Sequence, residues 1–154
     1  MNRILAMAGA LALTLAASGC ASGPRQSDAD RLALYRTHAG EPVESFRFFG
    51  SLNGWTPLGE EALAVWTRPG EAFLLELLGP CQDLVFTPAI GLTSNMGRVH
   101  SRFDKVLVRN SGASIQMPCH IGTIRPLDVK ALRASQKEMR EAQVQEREGG
   151  TGTP

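Results

Sequence analysis

From residue 43 to residue 125 apolar side chains recur at every second position, the period of strands whose two faces meet different surroundings. Phe46 and Phe48 alternate with Arg47 and Phe49. Residues 62–67 and 72–78 flank Arg68-Pro69-Gly70-Glu71, a hairpin signal. On the second of these strands Phe73, Leu75 and Leu77 point one way, and Leu74, Glu76 and Leu78 the other, so both faces are expected to be covered. Asn53-Gly54 is a hairpin dipeptide because both residues tolerate positive φ, and Pro57 shortens the strand that follows. Ser94-Asn95-Met96-Gly97 separates strands at 89–93 and 98–103. Val106 and Val108 form one face of the next strand, which ends at Asn110-Ser111-Gly112. Ile115, Met117, Cys119 and Ile121 alternate through the last strand, where Pro118 marks an edge or a bulge. Six or seven short strands predict a mainly β fold, a small antiparallel sandwich or barrel.

Two segments follow a helical rhythm instead. Residues 28–39 predict a short helix, with Ser27 or Asp28 as cap, Leu32 and Tyr35 on one face and Gly40 beyond its end. After Pro126, residues 128–148 are polar and free of glycine and proline, with Asp128 as N-cap. Their thin apolar stripe of Leu132, Met139 and Ala142 predicts a solvated helix docked only by its first turns. Residues 28–127 are therefore the β domain with its N-terminal helix, and 149–154 a disordered tail.

The first nineteen residues obey neither rhythm. Arg3 precedes an apolar run from Ile4 to Ala17 that would reach roughly 21 Å as a helix, short of the ~30 Å hydrocarbon core of a bilayer. A basic start, a short apolar middle and small residues before a cut site describe an export signal, removed from the working chain. The Ala17-Ser18-Gly19-Cys20 end resembles the bacterial lipobox, which implies acylation of Cys20 and cleavage before it. Residue 17 departs mildly from that pattern, since leucine is commoner there. Residues 20–27 then form a small, polar tether. Ala21 stands where an aspartate would signal inner-membrane retention, so the resemblance implies the outer membrane, facing the periplasm.

The 154 residues carry 16 basic and 15 acidic side chains, and loss of Arg3 with the leader makes the two equal. This balance gives no support for nucleic acid as partner. Of 3 cysteines, Cys20 is taken by lipid, which leaves Cys81 and Cys119 as an even pair in an oxidising compartment, where a disulfide is the default. That bridge would contribute about 4 kcal/mol in the chain-entropy model. A zinc site from Cys81, Cys119, His120, His100 and His38 is the competing reading. It lacks paired ligand spacing, and Cys119 and His120, adjacent on a strand, face opposite sides. Thiol-redox chemistry would want the two cysteines close in sequence.

No nucleophile elbow, metalloprotease helix, phosphate loop or dinucleotide fingerprint is present in the sequence, and no cofactor, metal or catalytic residue is expected. Arg98, His100 and Arg102 alternate on a strand with Lys105 and Arg109 nearby. They form an anion-facing stripe suited to an anionic lipid, a polysaccharide phosphate or an acidic envelope protein. A solvated face whose charges discourage edge pairing is the simpler reading. Trp55 and Trp66, with Phe46, Phe48 and Phe49, would line a pocket or, as aromatics in small β cores usually do, pack.

Five segments carry a family resemblance: Gly79-Pro80-Cys81, Ile90-Gly91-Leu92-Thr93-Ser94, Ala64-Val65-Trp66-Thr67, Arg102-Phe103-Asp104, and Pro118-Cys119-His120-Ile121 with Ile124-Arg125-Pro126-Leu127-Asp128. Over residues 32–133 the chain resembles a domain-of-unknown-function family of small Gram-negative lipoproteins. The resemblance implies the domain limits and the paired cysteines, and no activity. The expectation is a non-enzymatic envelope lipoprotein, a binding or accessory module at the membrane surface. A small-ligand carrier with a β-enclosed cavity is the alternative, and an enzyme comes third.

Overall fold

The computed structural model describes residues 26–109 and 117–149. Residues 1–19, Cys20, Asn110-Ser111-Gly112, Ile115 and the residues from 150 on lie outside the described residues. The fold is mainly β, as the alternation predicts. Its elements run α1 (Asp28–Thr37), β1 (Ser45–Arg47), β2 (Gly54–Pro57), β3 (Ala62–Arg68), β4 (Glu71–Leu77), β5 (Ala89–Leu92), β6 (Arg98–His100), β7 (Lys105–Arg109), β8 (Met117–Leu127) and α2 (Val129–Gly149). Six strands form one curled antiparallel sheet in the order β2-β3-β4-β8-β7-β5, and β1 and β6 form a separate ribbon.

Small and large residues alternate along β3, and this sorts its neighbours. Leu63 and Val65 face one side, where Leu75, Ile121, Ile124, Val106 and Val108 join them. The ribbon closes that side with Phe46, Phe48 and Val99, and Phe46 stacks on Phe73 with ring centres 4.5 Å apart. Ala62, Ala64 and Ala72 face the opposite side beside Leu74. Their small size lets α1 and α2 approach the sheet closely, so that Tyr35, Val129 and Leu132 are buried there.

Local chemistry fixes the helix ends. Ser27 accepts from Asp30 N at 3.1 Å while Asp30 Oδ2 accepts from Ser27 N at 3.3 Å, a reciprocal capping box. Asp128 caps α2 through Ala131 N at 2.9 Å. Only the first half of α2 docks; Val144 is 53% exposed. Glu76, half-buried on β4, pairs with Arg36 of α1 at 2.7 Å and Arg125 of β8 at 3.6 Å.

Three expectations change. Asn53-Gly54 is not a hairpin turn: Asn53 N donates to Trp66 O at 2.7 Å, and Gly54 opens β2. The turn between β2 and β3 sits instead at Gly59, which supplies the positive φ of 95°. Met96-Gly97 does turn the chain tightly, at φ 49° and 69°, yet the strands it separates do not pair; β5 pairs with β7 and β6 with β1. Leu78, expected to be covered, is 66% exposed because β4 has a bulge between Glu76 and Leu77 and no helix reaches that end.

Cys81 and Cys119 form a disulfide across a separation of 38 residues, with Cα atoms 5.6 Å apart. It ties the loop after β4 to β8, and Cys81 is fully buried. Replacing Cys81 by serine is expected to lower stability by about 2–4 kcal/mol, with the double serine variant no worse, since either change opens the same loop. Chemical denaturation of the single and double variants checks this. On the helix side, Ala64→Leu overpacks a close sheet–helix contact and is expected to cost about 1–3 kcal/mol, read as a lower Tm.

Candidate functional site

β8 is long enough to need several partners along one edge. Its Met117–His120 half pairs with β7, Lys105 lying opposite His120. At Ile121 the turn after β6 takes over: Arg102 N donates to Ile121 O at 2.7 Å, and Ile121 N to Asp104 O at 3.1 Å. Further on, Val43 N donates to Ile124 O at 2.9 Å and Gly40 N to Pro126 O at 2.8 Å. Between these handovers lie Gly122 and Thr123. The neighbouring chains part there, and a cleft of about 480 Å³ opens, lined by residues 42–44, 100–103 and 122–124.

Gly122, at its floor, packs closely against β4. A Cβ there would lie 2.9 Å from Leu78 Cδ2 and 3.1 Å from Glu76 O. The rim exposes Glu44 and Arg102 together with the apolar Phe103, and the fully buried Ile124 lies beneath. The volume therefore opens to solvent.

One wall is stitched in place by Asp104, which is 7% exposed. Its Oδ2 accepts the backbone N–H of His100 at 2.7 Å and lies 3.3 Å from His100 Nδ1. Its Oδ1 accepts the Thr93 hydroxyl at 2.7 Å, and Thr93 Oγ1 in turn accepts Lys105 N at 2.9 Å. One carboxylate thus orients the His100 ring and holds the turn through residues 101–103. Arg102 occupies this turn at φ 65°, a left-handed conformation unfavourable for a side chain of its size.

The structure places the residues singled out in the sequence as follows. Arg98 and His100 share one side of β6, flanking the buried Val99, but Arg98 Nε and Nη2 both donate to Ser45 Oγ, at 3.0 and 2.8 Å. Arg102 lies beyond the strand, in the turn, so the expected stripe becomes one engaged arginine and a His100–Arg102 pair at the cleft. His38 is remote from the other histidines, beside Ser135 at 3.0 Å, and His120 is exposed on β8 next to the disulfide. The aromatics divide between the two faces. Trp55 packs with the ribbon side, while Trp66 meets Tyr35 edge-on at 6.4 Å on the helix side. Phe49 lies outside both, under Arg68 at 5.4 Å. Glu44, Ser101 and Thr123 join the cleft without having been marked by any local pattern; only the handover of partners along β8 brings them together.

These features define a small, disulfide-tied β protein, its sheet backed by two helices and opened by a cleft beside β8. The chain belongs to DUF6491, a family of unknown function, whose model matches residues 2–143. No curated protein and no solved structure matches it.

Asp104→Ala removes acceptors for a backbone amide and a buried hydroxyl together. It is expected to lower stability by about 1–3 kcal/mol, and Thr93→Ala by less. Thermal unfolding of both variants checks the order.

Proposed function

We propose that the chain is a lipid-anchored protein of the bacterial envelope. After loss of residues 1–19, acyl chains on Cys20 hold it to the membrane, and the folded domain acts as a non-enzymatic binding or accessory module through the cleft beside β8. The cleft carries the binding half of this reading. It is where an otherwise paired strand edge gives way to hydroxyl, imidazole and guanidinium groups open to solvent. A pocket with a few convergent polar groups on a rigid frame is the usual form of a ligand site.

The anchor reading rests on the sequence and gains support from the start of the domain. Gln26 packs its side chain toward Met139 of α2, Nε2 to Sδ at 3.8 Å, and Ser27 caps α1. From Cys20 to Gln26 an extended chain spans at most about 20 Å. A lipidated Cys20 would therefore hold the domain close to the bilayer, with α1 and the middle of α2 nearest the attachment. No helix among the described residues is long and apolar enough to cross a membrane. Ala21 favours the outer membrane, and partners would be met on the periplasmic side. The alternative, a carrier with an enclosed cavity, is less well supported: both sides of β3 and β4 are packed, with Leu63, Leu74 and Leu75 all 0% exposed, and the cleft beside β8 opens outward.

Mass spectrometry of the purified chain is expected to find Cys20 as the first residue, carrying two or more acyl chains, and Cys20→Ala is expected to leave the membrane fraction free of mature protein. A mature chain with an unmodified Cys20, or full-length protein in the soluble cytosol with Cys81 and Cys119 reduced, defeats the reading.

A further inference from the structure

We propose that the cleft binds a phosphate ester, with Arg102 as its principal ligand. The inference rests on the cleft being a binding site and adds the class of molecule it takes.

Three observations carry it. First, Arg102 holds a left-handed backbone, φ 65°, where glycine would serve the turn without strain. Its N–H makes the contact to Ile121 O that the turn needs, and that contact is independent of the side chain. The guanidinium itself makes no hydrogen bond or ion pair with any other described residue. Met96, also at positive φ, stands outside the cleft, and Asp83 is of a type that tolerates the conformation. A strained, exposed arginine with no internal partner contributes nothing evident to the fold. Strain kept at such a position points to use of the side chain.

Second, the donors around it suit a tetrahedral oxyanion better than a planar carboxylate. Arg102 offers a guanidinium fork, and Ser101 and Thr123, which line the same cleft, each carry a hydroxyl without a described side-chain partner. His100 turns Nδ1 toward Asp104, which leaves Nε2 for a ligand. Several donors converging from different strands match the several oxygens of a phosphate.

Third, charge and surface agree. Residues 98–109 bear Arg98, Arg102, Lys105 and Arg109 against Asp104 alone, and Asp104 is already engaged by His100 and Thr93. Phe103, 82% exposed on the rim, and the half-buried Val43 offer apolar contact to the body that bears the phosphate. Glu44 is the opposing charge in the cleft and sets a limit on affinity.

The test uses the full chain in non-ionic detergent, titrated with inorganic phosphate, glycerol phosphate, and short-chain phosphatidylglycerol or phosphatidylcholine below micelle formation. Amide shifts of Ser101, Arg102 and Thr123 are followed together with calorimetry. Saturable binding of a phosphate-bearing probe at these residues is expected. Preference for glycerol phosphate or inorganic phosphate identifies a free anion, and preference for phosphatidylglycerol a lipid headgroup. Arg102→Gly is expected to weaken binding about tenfold or more while leaving Tm unchanged or raised, and Glu44→Gln to strengthen it about threefold. Absence of saturable phosphate binding, or an Arg102→Gly variant that keeps its affinity or loses stability, overturns the proposal. A neutral saccharide or an extended peptide that shifts the same amides instead overturns the phosphate assignment and keeps the cleft as a binding site. If no probe binds, and filling the floor with Thr123→Trp leaves the crosslinked envelope partners of the folded protein unchanged, the cleft reading falls as well.

Discussion

Backbone pairing along β8 is the constraint on which the other features depend. An eleven-residue strand in the middle of a sheet must satisfy its amides and carbonyls on two sides, because buried unpaired backbone groups are costly. β4 meets one side for most of that length. The other side is shared among β7, the turn after β6, and the segment that follows α1. This sharing brings both ends of the domain into register: Ala39 bridges Leu127 just before α2 begins, and Asp128 N donates to His38 O at 2.9 Å. The disulfide reinforces the same strand at Cys119, so chain entropy and hydrogen bonding act on one element.

Side-chain size then decides what covers each face. The Ala-Leu-Ala-Val order of residues 62–65 sends alanines toward the helices and large residues toward the ribbon, and Ala72 and Leu74 on β4 continue the helix side. Two separate apolar clusters result, one on each face of a single sheet, in place of the single interior of a symmetric sandwich. The arrangement suits a short chain. Two helices cover one face and two three-residue strands the other.

The same sharing of β8 creates the site. Where one partner hands over to the next, the strand edge is interrupted, and the residues that border the interruption come from three distant stretches of chain. Asp104 keeps that border in shape by holding a backbone amide, a hydroxyl and an imidazole at once. Gly122 keeps the floor low because Leu78 and the Glu76 carbonyl occupy the space a side chain would need. The cleft is therefore part of the framework that closes the sheet, with Arg102 and Phe103 exposed at its rim.

Much of the framework was legible in the residues alone, for reasons of range. The capping of α1 by Ser27, the polar α2 after Asp128 and the turn at Pro69-Gly70 depend on contacts a few residues apart, so local patterns determine them. The period-two alternation of Phe73, Leu75 and Leu77 marks a face whatever lies opposite it, and Cys81 and Cys119 are the two cysteines of the β region, each with the other as its economical partner. Pairing between distant strands has no such local signature. Asn53-Gly54 carries ideal turn chemistry and still enters a strand, because Trp66 offers its carbonyl there. The Arg98–Arg102 alternation breaks after His100, because the chain must turn to give Ile121 its hydrogen bonds. Tertiary structure alone decided which strands meet along β8, and with that which residues line the cleft beside it.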